Sequence, residues 1–322
     1  MKYFAGIDQG YTKTDVLIGD ENGRLLARHI GPGWGDDFFG VQTACAENAL
    51  SQCGLKLPDV YAFVSSMTEI DTDDIQKKCE ADFRERVSNK NSSVYHDSYG
   101  AWRTGTNRRP SGAMSLGSGV ALAFFHENGS LTNLSDLILW EYQTASTLGL
   151  RAFGRACAAA LKYWEPTLLT ENICEFTETS TLEEAFAKTD CGSDISAMQY
   201  QHFAPYVFAA AEKNDKVSID LIREIGTGLA GYIRSGIKNL GWEDREVPFV
   251  LSGGALKGKG YILENVIREN LSGIPNLNLI RARYEPVYGA LMLAYDEYHP
   301  ETAPSVSSED IQVFNLYREL MN

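Results

Sequence analysis

No Cys-x-x-Cys pair occurs in the 322 residues, and the six cysteines, Cys45, Cys53, Cys79, Cys157, Cys174 and Cys191, are scattered. That spacing suggests neither a zinc site nor an iron–sulfur cluster. An even count allows disulfides, but the chain is large and shows no secretory leader, so reduced thiols in a cytoplasm are expected. Basic residues are in deficit: 29 Lys and Arg stand against 43 Asp and Glu, a net charge of −14. A general affinity for nucleic acid or anionic membrane needs a basic face, so neither partner is expected. Nowhere does the chain offer the roughly 18 uninterrupted apolar residues of a helical membrane span. No low-complexity linker separates one part from another. What is present is a 44% hydrophobic composition, enough to bury a substantial core in two domains or one large one.

The most informative stretch is the N-terminus, where the apolar Lys2-Tyr3-Phe4-Ala5-Gly6-Ile7 runs into Asp8-Gln9-Gly10-Tyr11-Thr12-Lys13-Thr14. Gly10 permits a tight turn. Thr12, Lys13 and Thr14 set two hydroxyls and a cation beside the turn's amides, which is what an anionic phosphate wants. The Asp8 carboxylate would repel a phosphate directly, so it makes sense with a hard cation such as Mg²⁺ between them. An ordinary β-hairpin fits equally well, supported by the Asn22-Gly23 turn before Arg24. Both readings give three antiparallel strands, Tyr3 to Ile7, Asp15 to Gly19 and Leu25 to Ile30.

Downstream, helical spacing from Gly40 to Cys53 is followed by the apolar strand Val60 to Ser66, a charged helix from Asp71 to Val87, and a strand Ser92 to His96 ending at Asp97. That alternation is α/β. Ala113 to Phe125 begins a second strand–turn–strand around Leu116-Gly117-Ser118-Gly119, echoing the first. Leu148 to Trp164 and Ser180 to Ile237 read as mainly helical. A short strand, Pro248 to Leu251, ends at Ser252-Gly253-Gly254, and the turn it opens extends to Gly258. Helix Tyr261 to Asn270, strand Leu277 to Arg281, helix Val287 to Tyr298 and a C-terminal helix Asp310 to Leu320 complete the chain.

Three Gly-centred turns at strand ends, in this order, resemble the sugar kinase, Hsp70 and actin superfamily of ATPases. The nearer resemblance, over nearly the whole chain, is to the BadF/BadG/BcrA/BcrD ATPase family, which includes N-acetylglucosamine kinases. It is carried by Gly6-Ile7-Asp8-Gln9-Gly10-Tyr11-Thr12-Lys13-Thr14, Leu251-Ser252-Gly253-Gly254, Pro286-Val287-Tyr288-Gly289-Ala290 and the piece Phe203-Ala204-Pro205-Tyr206-Val207. The resemblance implies an α/β fold of two actin-like (ribonuclease H-like) domains, with mixed sheets flanked by helices and ATP in the cleft between them. It places an N-terminal domain at 1–112, with the C-terminal helix 300–322 packing back on it, and a C-terminal domain at 113–299 with a helical insertion at about 148–237.

In that frame Asp8 holds Mg²⁺ through water, and Gly10, Thr12, Lys13 and Thr14 form the first phosphate site. Gly117 and Ser118 contact phosphate from the other side, while Gly253 and Gly254 pack the adenosine. Asp97 matches the family's catalytic base; its bland alternative is a helix N-cap. The implied activity is ATP-dependent phosphorylation of a hydroxyl on a small molecule, a sugar or amino sugar. An ATPase that activates a partner enzyme and a non-catalytic nucleotide or sugar sensor are the alternatives, and a homodimer is compatible with each.

The chain departs from the pattern in three places. Gln9 and Tyr11 replace two glycines, and Leu116 stands where a threonine hydroxyl is expected. Around the sugar site the family's acidic pair falls near Ser146 and Thr147, with only Gly154-Arg155 matching well and Glu141 as a substitute carboxylate. N-acetylglucosamine therefore does not follow as the substrate. Trp102, Arg103, Arg108 and Arg109 could reach an anionic or aromatic acceptor, or form a solvated basic loop.

Overall fold

The computed structural model describes every residue except 34, 141–143, 190–196, 258–260, 303 and 318–322. Glu141, Cys191, Gly258 and the end of the expected C-terminal helix lie outside the described residues. In chain order the elements are β1 (Tyr3–Gln9), β2 (Lys13–Asp20), β3 (Leu25–Pro32), α1 (Phe38–Gln52), β4 (Val60–Met67), α2 (Asp73–Val87), β5 (Ser92–His96) and α3 (Ser98–Arg103). Then follow β6 (Ser111–Leu116), β7 (Val120–Phe125), β8 (Leu131–Asn133), α4 (Ser135–Trp140), α5 (Ala145–Ala160), α6 (Ile173–Thr177), α7 (Leu182–Lys188), α8 (Ala204–Glu212) and α9 (Lys216–Asn239). The chain closes with β9 (Val247–Ser252), α10 (Ile262–Leu271), β10 (Leu277–Arg281), α11 (Pro286–Tyr298) and α12 (Ser308–Val313).

Two mixed five-stranded sheets flanked by helices result, ordered β3-β2-β1-β4-β5 and β10-β9-β6-β7-β8. Two compact units can be drawn: Met1–Ala113 with Phe249–Leu251 and the described chain from Ile280 on, and Met114–Pro248 with Ser252–Leu279. In the first sheet β1, β2 and β3 run antiparallel, while β1, β4 and β5 run parallel. The carboxyl ends of three parallel strands thus share one edge, where Asp8, Met67 and Asp97 come out.

One face of this sheet buries Ile7, Val16, Ile18, Phe63 and Val94 against Ala46, Ala49 and Leu50 of α1 and Phe83 of α2. On the other lies α11, so close that a Cβ on Gly6 would fall 2.2 Å from the Leu291 amide nitrogen. Phe4 and Tyr295 pack with ring centroids 4.8 Å apart, and the buried Tyr295 hydroxyl donates to the Asp20 carbonyl at 2.8 Å. In the second unit α9 turns its apolar stripe, including Ile225, Leu229 and Ile233, inward. Gly236 sits against the Phe124 ring, where a Cβ would come within 2.2 Å.

Two helix expectations are corrected. The C-terminal helix spans Ser308–Val313 and stops there: Phe314 caps it and Asn315 takes a left-handed φ of 50°. The helix expected to reach Trp164 ends at Ala160, because Tyr163 and Trp164 both return their N–H groups to the Ala158 carbonyl. Ser180 to Ile237 is mainly helical, as expected, in separate pieces: Asn214 at φ 63° follows α8 and Asp215 starts α9, accepting the Ser218 N–H at 2.9 Å. Among the described residues no helix is long and apolar enough to cross a membrane.

Candidate active site

Asp97 opens α3 with helical dihedrals, the place where an aspartate ordinarily caps the helix. Its side chain makes no cap bond, so the N-cap alternative fails. Its Oδ1 is buried and has no hydrogen-bond partner among the described residues. The nearest ring nitrogen, Nδ1 of the buried His96, lies 3.2 Å away. That nitrogen is already approached by the Ser98 N–H at 3.2 Å and the Ser98 hydroxyl at 2.8 Å. On the far side of the ring, Nε2 is 3.7 Å from Asp71 Oδ1. The Asp97 side chain as a whole is still 30% exposed, so the carboxylate is seated by its buried oxygen against His96 and remains open to a hydroxyl, as a general base must be. Ser66 on β4 fixes the turn: its hydroxyl lies 3.2 Å from the Asp97 carbonyl and accepts the Gly100 N–H at 2.9 Å.

Asp8, at the end of β1, is paired across the sheet with Asp15 on β2 and with Ser66 on β4. Burial pushes its carboxyl up to about 7; Lys13 opposes the rise, while the charges of Asp15, Asp97 and Glu285 add to it. Asp8 and Asp97, 89 positions apart by number (97 minus 8), are therefore close neighbours in charge. The Lys13 ammonium is held above its ordinary value: burial lowers it, but Asp15, Asp8 and Glu285 outweigh that.

When ionised, Asp8, Asp15, Asp97 and Glu285 carry four negative charges against the two positive charges of Lys13 and Arg28. The excess matches a divalent cation. No cluster of three His, Cys, Asp or Glu able to cage a metal exists among the described residues. One carboxylate with the remaining positions filled by water and phosphate oxygens is the ordinary manner of Mg²⁺, so the donor set fits that ion.

The first turn is a hairpin, closed by the Gly10 N–H donating to the Lys13 carbonyl at 3.0 Å. A Cβ on Gly10 would touch no protein atom within 4 Å, so its glycine is not demanded by packing. Thr12 is exposed and Lys13 half-exposed. Thr14 is fully buried, its hydroxyl accepting the Gln9 side-chain amide at 3.1 Å, so it faces the core and not the group around Lys13. Tyr11, in place of a glycine, hydrogen-bonds Glu69 and ties the turn to the loop after β4.

In the second unit the turn after β6 closes the same way, the Gly117 N–H donating to the Gly119 carbonyl at 2.9 Å. The Ser118 carbonyl accepts the Ser146 hydroxyl at 2.9 Å, so the position of the missing acidic pair is used to hold the turn. Leu116 is buried at the base of this turn. Gly253, at φ 101°, abuts it so tightly that a Cβ would stand 2.1 Å from the Leu116 nitrogen. Gly254 beside it is exposed and meets nothing. The arginines after Asp97 have structural partners: Arg103 forks onto Asp296, and Arg109 lies 4.9 Å over the Trp102 ring. Arg155 likewise stacks on Trp164 at 4.0 Å.

Residues 175–294 match the sequence model of the BadF/BadG/BcrA/BcrD ATPase family. The family resemblance is borne out. An N-acetyl-D-glucosamine kinase from Dictyostelium discoideum is 24% identical over 317 residues, covering 90% of this chain and 97% of that protein. Among solved structures, a candidate N-acetylglucosamine kinase from Porphyromonas gingivalis aligns with TM-score 0.69 at 18% identity, covering 92% of this chain and all of that one. A ROK family glucokinase from Streptomyces griseus, solved with glucose and AMPPNP, aligns with TM-score 0.62 at 18% identity over 91% of this chain and 99% of that one. At such identities the structures speak for the fold, the actin-like arrangement of sugar kinases.

Ser66, Asp71, His96, Asp15, Arg28 and Glu285 escaped the sequence reading. Two left a signal: Asp15 is a charge at the head of the apolar run Val16-Leu17-Ile18, and Glu285 directly precedes the Pro286-Val287 motif.

Proposed function

We propose that this protein is an ATP-dependent kinase that phosphorylates a hydroxyl of a sugar, with amino sugars of the N-acetylglucosamine type as the first acceptors to test. The observation that carries the reading is the Asp97 carboxylate, uncapped and partly exposed at the strand-end edge, standing in the field of Asp8. Asp97 accepts the proton of the attacking hydroxyl and orients its oxygen. Lys13 meets phosphate oxygens as a point charge, and Thr12 adds a hydroxyl. Asp8 is the residue that would hold Mg²⁺, which supplies neutralisation of the charge developing on the transferred phosphoryl group. The open space beside Gly10 lets phosphate approach the hairpin backbone. In the second unit Gly253 and Gly254 are read as nucleotide contacts, supported by the family match over 175–294 and by the exposure of Gly254, and Gly117 and Ser118 by the likeness of their turn to the first hairpin.

The curated relative supports the amino-sugar class. Departures at Ser146 and Thr147 leave acceptor preference as the first quantity to measure. ADP release from Mg-ATP should rise well above the water background with at least one sugar of a panel. If no sugar stimulates turnover, the kinase reading fails.

A further inference from the structure

We propose that Asp15 and Arg28 are positioning residues for Lys13, and that through them the turn at Phe314 and Asn315 sets how tightly the first hairpin holds nucleotide phosphate. The proposal rests on the kinase reading above and adds to it a part of the chain far from the hairpin in sequence. Asp15 is fully buried on β2. Its Oδ2 accepts the Lys13 ammonium at 3.1 Å and Arg28 Nη2 at 2.6 Å, and its Oδ1 accepts Arg28 Nε at 2.9 Å. Arg28 comes from β3, two positions off the residue paired with Asp15, so the fork reaches diagonally across the sheet. Its remaining nitrogen, Nη1, donates to the Phe314 carbonyl at 2.7 Å and the Asn315 carbonyl at 2.6 Å. Only a planar guanidinium can serve a carboxylate and two carbonyls together; an ammonium cannot reproduce that fork.

The left-handed φ of Asn315 is what presents two successive carbonyls to one arginine. Glu285 is locked to the same segment, its N–H donating to the Leu316 carbonyl at 2.9 Å, and its charge acts on Asp8, Lys13 and Arg28. A buried carboxylate needs partners, and an apolar side chain at position 15 would continue the apolar strand without them. The arrangement makes sense if its purpose is Lys13, whose flexible stem is pinned from below while its side chain stays 38% exposed. Holding a rotamer-rich side chain in place before the ligand arrives removes that ordering from the cost of binding.

The coupling is reciprocal, so nucleotide at the hairpin should protect the C-terminal turn. The test uses the full chain as wild type, Asp15→Asn, Arg28→Met and Arg28→Lys, with saturating sugar. The apparent KM for ATP is expected to rise about tenfold in Asp15→Asn and Arg28→Met with kcat within about threefold, the loss of a charge-assisted contact. Arg28→Lys recovers only part. In the wild type alone, Mg-AMPPNP should slow amide exchange at residues 314–317 severalfold. An unchanged KM in folded variants overturns the proposal, as does exchange at 314–317 that ignores bound nucleotide. A wild type that binds no nucleotide overturns the kinase reading, and this one with it; nucleotide binding with unchanged variants overturns this one alone.

Discussion

Gly289 of α11 rests on the backbone of Gly100 in α3: a Cβ there would lie 1.9 Å from the Gly100 carbonyl oxygen. The closing Pro286-Val287-Tyr288-Gly289-Ala290 motif is thereby the floor under the short helix that starts at Asp97. Gly289→Ala must push α3 or α11 aside, because the obstructing atom is backbone. Overpacking of this kind costs about 1–3 kcal/mol, and here the upper end is expected. Denaturant midpoints would fall accordingly, and sugar-stimulated turnover should fall further than stability alone explains. An unperturbed midpoint would show that the contact is slack.

Asp97→Asn preserves shape and removes the base. Turnover with sugar should drop about 10²- to 10⁴-fold, the usual worth of a positioned general base, while the affinity for Mg-ATP changes little. Single-turnover rates and equilibrium binding separate the two. Equal losses in both would make Asp97 a nucleotide ligand instead.

For Asp8 the effect reads out as pH-dependent stability. Folding raises its carboxyl from 3.8 to about 7, mainly through burial. The folded state binds that proton more tightly, so the contribution to stability is whole below about pH 4 and is lost as pH rises through 7. Asp8→Asn has no such loss: its denaturant midpoint relative to wild type should climb from about pH 4 to about pH 7 and then level off. Activity should be abolished at every pH. A difference in midpoint that is flat with pH would contradict the raised Asp8 carboxyl.

Gly253→Ala tests the second unit by itself. At φ 101° with Leu116 2.1 Å from the would-be Cβ, both the dihedral and the space forbid a side chain. The variant should be strongly destabilised, whereas Gly254→Ala, which meets no atom, should fold as wild type and show its effect in the KM for ATP.

Much of this was legible in the chain itself. The Asn22-Gly23 turn and the apolar runs on either side of it predict β1 to β3, and a hairpin also carries Lys13 and Asp8. Asp97 was legible as the residue after a strand, and its role was legible only through the family. The direction of the Thr14 hydroxyl is not legible, because side-chain direction in a strand depends on register, and the pairing of Gln9 with Thr14 turns that hydroxyl into the core. The packing of α11 on Gly6, and the reach of Arg28 to Phe314 across 286 positions, depend on tertiary geometry that no local pattern encodes. The C-terminal helix was read too long for the same reason: Asn315 leaves the helix to give its carbonyl to Arg28.

Phosphorus NMR of the full chain with Mg-ATP and a panel of sugars including N-acetylglucosamine tests the central claim most directly. The account predicts a sugar-phosphate ester resonance growing in step with ADP, absent with Asp97→Asn. ADP accompanied only by inorganic phosphate, whatever sugar is added, would contradict it.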